Sequence, residues 1–187
     1  RSGFAGLQRF AATWTGDNRS NWEHLKLANF QCQRLAASGI SFAGADAGGF
    51  MGHPTPELFC RWMQMASFHG FFRNHSSGEF GGQEPWMFGQ EVTSCVKAAI
   101  EGRYRLLPYI YTQFRWRGAE YFFGDHLYVV PIHEPQEGGR FLYIPEGVWY
   151  SYHTDSLMED TGKDVWVKCP LSFLPVYVRG GAVVPHW

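Results

Sequence analysis

A chain of 187 residues with a formal net charge of −1 has room for one domain and a small second one. It offers nucleic acid or an anionic membrane no electrostatic attraction. Hydrophobic residues make up 45% of it, enough for a core, and aromatics 18%, with eight tryptophans, which is above ordinary usage. Aromatic excess serves packing first, but it also suits the apolar faces of sugar rings. No stretch is long and apolar enough to cross a bilayer as a helix, and no signal-peptide pattern is visible. Cys32, Cys60, Cys95 and Cys169 lack any Cys-x-x-Cys spacing and read as buried free thiols, which fits a reducing, cytoplasmic interior without requiring one.

Residues 1–9 are glycine-rich and read as a loop, and Phe10 to Trp14 as a short buried strand. Thr15-Gly16-Asp17-Asn18 is a turn. Ser20 followed by Glu23 is a capping-box pattern, and Trp22, Leu25, Ala28, Cys32, Leu35 and Ala36 recur at helical spacing until Gly39 ends the helix. Ile40 to Ala43 is a short apolar strand, and Gly44 to Pro54 a glycine-rich loop carrying Asp46. Pro54-Thr55-Pro56 opens a second helix, buried through Leu58, Phe59, Trp62, Met63 and Ala66. Phe71-Phe72 is a brief strand, 74–89 a long glycine-rich loop, and Glu91 to Phe114 a helix in which Pro108 predicts a kink.

Short buried strand, polar loop, helix, repeated: this is the pattern of a (β/α)₈ barrel, with the polar motifs on the C-terminal face where such barrels carry their sites. After Gly118 it changes. Leu127–Pro131, Arg140–Ile144, Val148–Tyr152, Val165–Pro170, Val176–Arg179 and Ala182–Pro185 are short strands separated by Gly, Pro, Asp and Glu. The expected fold class is α/β: a partial (β/α)₈ TIM barrel, its C-terminal units, over 1–118, then a small antiparallel β-domain over 119–187.

Arg1-Ser2-Gly3-Phe4, Trp14-Thr15-Gly16-Asp17-Asn18, Gly44-Ala45-Asp46-Ala47-Gly48-Gly49-Phe50 and Phe72-Arg73-Asn74-His75 occur in this order. In order and spacing they resemble successive motifs of glycoside hydrolase family 31, a family of α-glucosidases, α-xylosidases and α-glucosyltransferases. The resemblance covers nearly the whole chain. It implies a retaining α-glycosidase acting on an α-linked oligosaccharide, without cofactor or metal. It also implies that the nucleophilic aspartate lies on an earlier barrel strand, upstream of Arg1, and that the last barrel strand is nearly absent from the short junction at 114–119. The chain is therefore expected to be a fragment or a spliced domain, to require the N-terminal part of the barrel, and to be inactive alone. A third of a barrel exposes its sheet edges.

Double displacement at a glycosidic bond needs a nucleophilic carboxylate and a carboxylic acid that protonates the leaving oxygen, roughly 5–5.5 Å apart. The acid keeps its proton through burial and the repulsion of the second carboxylate. Asp17, in a glycine-cornered turn beside Trp14, suits that role; taken locally, it reads first as an aspartate capping a turn before a helix, and the other motifs in register turn the reading to catalysis. The motif register assigns Arg1 to sugar hydroxyls and neighbouring carboxylates, and His75 to sugar binding. Arg73 is expected to pair with a carboxylate such as Asp46 and hold the loop. Asp46 either touches the sugar or satisfies backbone amides in its glycine loop. Trp14 and Phe50 are expected to form apolar walls around the sugar, or to belong to the core.

Other chemistries find less support. The histidines show no His-x-x-x-His or Cys/His ligand spacing. Gly44-x-x-x-Gly48-Gly49 lacks the Lys-Ser/Thr of a phosphate loop, and no Gly-x-Ser-x-Gly elbow is present. Two alternatives stay open beside the glycosidase: an α-glucosyltransferase on the same site, with the aromatic loop from Phe80 to Phe88 as acceptor subsite, and a non-catalytic carbohydrate-binding fragment.

Overall fold

The computed structural model describes all residues except 1, 2, 5, 117–121, 133, 135–137 and 187, and for 112–116 and 122 only the course of the chain. The first half holds four two-residue strands, β1 (Thr13–Trp14), β2 (Ala43–Gly44), β3 (Asp46–Ala47) and β4 (Arg73–Asn74). β1 pairs with β2 and β3 with β4, both parallel. Because Ala45 alone separates β2 from β3, these pairs make a continuous run of parallel barrel strands, joined by α1 (Trp22–Ala37) and α2 (Pro56–Ala66). Gly44 is what lets neighbouring strands close up: a Cβ there would lie 1.9 Å from the Phe71 carbonyl oxygen.

The expected strand from Phe10 shrinks to β1, and Phe10 is 79% exposed. The expected loop at 44–54 contains β3, which the sequence reading missed. α1 is capped by Asn21, whose side chain accepts from His24 N, and not by Ser20, whose N–H donates to the Met51 carbonyl. α2 is capped by Thr55 and carries Pro56 at its start, as expected. Its residues 58–66 are all buried, because strands cover one side, α3 (Gln90–Arg105) another, and the second half of the chain a third. The long helix expected from Glu91 is two helices, α3 and α4 (Leu107–Trp116), broken at Leu106 so that Pro108 falls in the first turn of α4, where its missing N–H costs nothing.

The second half is antiparallel. β5 (Phe122–Phe123), β6 (Leu127–Val129), β10 (Val176–Arg179) and β8 (Trp149–Ser151) form one sheet in that order, and β7 (Gly139–Ile144) pairs with β9 (Lys163–Lys168) as a hairpin. Residues 182–185, expected as a strand, form none, and Val183 is 81% exposed. Cys32, Cys60 and Cys169 are buried and Cys95 half-buried, and none of the four is in a disulfide. Among the described residues no helix is long and apolar enough to cross a membrane.

Candidate active site

Three turns leave the C-terminal ends of β1, β3 and β4 and interlock. In the first, Gly16 has φ 90°, a left-handed conformation open to glycine, and it sets the corner between Thr15 and Asp17. Asn18 is buried; its side-chain oxygen accepts from Thr15 Oγ1, and its carbonyl accepts from Phe50 N at 2.7 Å and Met51 N at 3.0 Å. These bonds fasten the turn after β1 to the turn after β3. Gly49 completes the fit: with φ 93°, it lies so close to Ser20 that a Cβ would meet its backbone at 2.6 Å.

Asp17 stands exposed between buried Gly16 and Asn18. This corrects the expectation of an apolar enclosure: the described residues do not bury it, and the Trp14 indole packs against the Arg73 guanidinium, 5.7 Å from ring centroid to Cζ. Asp17 is nevertheless close enough to Asp46 for the two charges to repel.

Asp46 is 1% exposed. Its Oδ1 accepts from Arg73 Nη2 at 2.6 Å and from Arg73 Nε at 3.1 Å. Its Oδ2 is buried without a hydrogen-bond partner among the described residues. Burial pushes the Asp46 carboxyl above its ordinary range; the Arg73 hydrogen bonds and charge and then the His75 charge pull it back, and Asp17 adds a smaller push upward. The Asp46–Arg73 pairing is the one expected. The alternative, that the carboxylate satisfies amides of its own loop, is not realised: Gly49 N donates to the Asp46 backbone carbonyl instead, at 2.9 Å.

Arg73 is also held by Phe71, whose ring centroid lies 5.6 Å from Cζ, so its cation sits against two aromatic rings. His75 is exposed, and its ring faces Phe50 at 5.5 Å and 36°. Trp14 and Phe50 are both half-buried and each lies beside a site residue, Trp14 beside Arg73 and Phe50 beside His75. Arg1, the remaining expected site residue, lies outside the described residues. Asp17, Trp14, Asp46, Phe50, Arg73 and His75 thus come together at one end of the strands.

Two participants were not foreseen. Asn18 was read only as the residue that closes the Asp17 turn, yet it is the lock between two turns. Gln83 is 5% exposed and donates to the Gly49 carbonyl at 3.1 Å and the His75 carbonyl at 3.4 Å. The one local signal for Gln83 was an amide following Gly81-Gly82 in an aromatic loop.

Residues 1–113 match the Glycosyl hydrolases family 31 TIM-barrel domain and residues 107–184 the Glycosyl hydrolase family 31 C-terminal domain. Alpha-glucosidase 2 of Bacillus thermoamyloliquefaciens is 36% identical over 208 residues, covering 98% of this chain and 26% of the relative. A crystal structure of the glucosidase II alpha subunit is 32% identical with a TM-score of 0.87, covering 97% of this chain and 22% of that one. A cycloalternan-forming enzyme from Listeria monocytogenes, in complex with a pentasaccharide substrate, is 27% identical with a TM-score of 0.89, covering 100% and 21%. The chain spans about a quarter of the length of the curated relatives it matches. The aligned stretch in the Bacillus relative, 208 positions against 187, is longer than the chain, so the relative carries residues within it that this chain does not.

Proposed function

The chain belongs to glycosyl hydrolase family 31, and on that premise we propose that it is the acid/base half of a retaining α-glycosidase that cleaves α-glucosidic bonds of oligosaccharides. Asp17 is the acid/base. Arg1, Trp14, Asp46, Phe50, Arg73 and His75 surround the sugar, and the nucleophilic carboxylate comes from a barrel strand outside these 187 residues. The barrel part runs over 1–118 and the β-domain over 119–187. In this reading the residues missing relative to the Bacillus α-glucosidase belong to the junction between them.

The observation that carries this reading is the pair of bonds from Phe50 N and Met51 N to the Asn18 carbonyl. They hold the turn of the exposed Asp17 against the turn that follows Asp46, close enough for the Asp17 and Asp46 charges to interact. Asp46 itself is a poor nucleophile: it is buried and one oxygen is taken by Arg73. The protonated form that Asp17 needs requires burial and a second carboxylate, and both are supplied in this reading by the strands that complete the barrel.

The test is Asp17→Ala in the full-length protein, assayed with two substrate classes. Glucosides with poor leaving groups are expected to lose about 10²–10⁴-fold in rate, while those whose leaving group needs no protonation lose far less in the first step. Equal, parental rates for both classes would remove Asp17 from the role.

Glucosyl transfer on the same site is a second reading, favoured by Trp86. It is 71% exposed on a turn (Pro85–Phe88) anchored from beneath by Phe88, which stacks on Phe59 at 4.4 Å. An indole presented in this way suits an acceptor sugar. Oligosaccharides longer than the substrate, accumulating as main product at high substrate concentration, would select transfer over hydrolysis.

A further inference from the structure

Gln83 joins two of the three turns through the nitrogen end of its side-chain amide. Its Nε2 donates to the Gly49 carbonyl at 3.1 Å, in the turn that carries Asp46 and Phe50, and to the His75 carbonyl at 3.4 Å, in the turn after β4. The Gln83 backbone carbonyl accepts in return from Asn74 Nδ2 at 2.7 Å. The amide fits because position 48 has no side chain: a Cβ on Gly48 would come within 2.5 Å of Gln83 Oε1. That oxygen is buried with no hydrogen-bond partner among the described residues, so Gln83 is retained for its donors at the expense of its acceptor. Gly49, the acceptor on one side, is pressed against Ser20 and so tied to the turn of Asp17. His75 is the acceptor on the other side, and its ring lies 5.5 Å from that of Phe50.

We propose that Gln83 is a positioning residue: it sets the height of His75 against Phe50 and Asp46, and through His75 it governs sugar affinity rather than the proton transfer at Asp17. This rests on the glycosidase reading above. Gln83 touches no substrate. Its effect passes through the His75 backbone, so it should vanish when His75 can no longer bind sugar.

The experiment is a double-mutant cycle in the full-length protein, with Gln83→Leu and His75→Ala, read as kcat and KM on an α-glucoside. Gln83→Leu removes the donors at similar size. It is expected to raise KM about tenfold with kcat changed less than about threefold, the scale of one buried hydrogen-bonded group. In the His75→Ala background the same substitution should change KM less than about twofold. Equal fold-changes in the two backgrounds overturn the proposal. Should Gln83→Leu fold poorly, Gln83→Glu keeps the shape while supplying at most one donor and is read in the same cycle. A readout independent of activity keeps the proposal apart from the functional reading: the His75 ring protons, observed in histidine-labelled protein, carry the ring-current shift of Phe50. Loss of that shift in Gln83→Glu, with other histidine signals unmoved, supports the positioning role even if the parent cleaves no α-glucoside. An unchanged His75 signal overturns it.

Discussion

Arg73 reaches the Oδ1 of Asp46 twice, through Nη2 at 2.6 Å and Nε at 3.1 Å, and the other carboxylate oxygen has no hydrogen-bond partner among the described residues. Two effects compete at this pair. Taking the Asp46 carboxylate out of water disfavours its charge, and the guanidinium favours it. Burial is the larger, so the folded-state pKa of Asp46 stands above its ordinary value. The sign for stability follows. Between the unfolded value, about 3.9, and the raised folded value, the folded state binds more protons than the unfolded one, so this group's contribution falls as pH rises through that window and stays at its lower level above it. Asp46→Asn removes the titration. The stability of the parent minus that of Asp46→Asn, measured by denaturant unfolding of the full-length protein in steps from pH 3 to pH 7, is expected to decline with pH. A difference that grows with pH would mean that Arg73 outweighs burial.

The closeness of the strands at Gly44 makes a second, purely steric prediction. A methyl group there would lie 1.9 Å from the Phe71 carbonyl oxygen, and that oxygen is backbone, unable to step aside as a side chain would. Gly44→Ala must therefore part the strands that bring Asp17, Asp46 and Arg73 together. A cost at or above the roughly 1–3 kcal/mol of ordinary overpacking is expected. Gly102→Ala is the matched control. It lies inside α3 with nothing within 4 Å of the added carbon, so it should stabilise by about 0.5–1 kcal/mol. Unfolding midpoints for the two variants moving the same way would refute the account.

What could be read from the residues alone was set by how local each signal is. α1 and α2 were legible because Leu25, Ala28 and Cys32, or Leu58, Trp62 and Met63, repeat at helical spacing, and their ends fell within a residue or two. The two-residue strands were not, because so short a strand is defined by its neighbour: Phe10 looks like strand but has none, while Asp46-Ala47 looks like loop and pairs with Arg73-Asn74. Asn21, not Ser20, caps α1 because the helix begins at Trp22, which puts the Asn21 side chain within reach of His24 N. In the site, the Asp46–Arg73 pair was legible from charge and motif. The exposure of Asp17, the Trp14–Arg73 contact and the Gln83 bridge were not, since each depends on how separate turns meet in space.

The same distinction applies to Arg61, which sequence alone gave no reason to single out. It is 4% exposed in the middle of α2, an unusual place for a guanidinium. Nη1 donates to the carbonyls of Pro170 and Phe173, both at 3.2 Å, and Nη2 to that of Cys169 at 2.9 Å. Gln64, one turn on, adds a bond to the Leu171 carbonyl at 2.7 Å. Four backbone carbonyls of the β-domain, those of Cys169, Pro170, Leu171 and Phe173, are thereby satisfied by two side chains of a barrel helix, and the helix that follows the Asp46 turn is braced by the β-domain. Arg61→Met fills the space but leaves the carbonyls of Cys169, Pro170 and Phe173 without these donors, at about 1–3 kcal/mol for the buried Cys169 carbonyl and less for the two that are part-buried. The segment after β9 should then loosen from α2. Lys168 is exposed and immediately precedes that segment, so trypsin is expected to cut Arg61→Met after Lys168 under conditions that leave the parent intact. Arg61→Lys supplies a single ammonium in place of the planar fork and should fall between the two. Parental resistance in Arg61→Met would show that the contact between the two halves is held by apolar packing and not by this guanidinium.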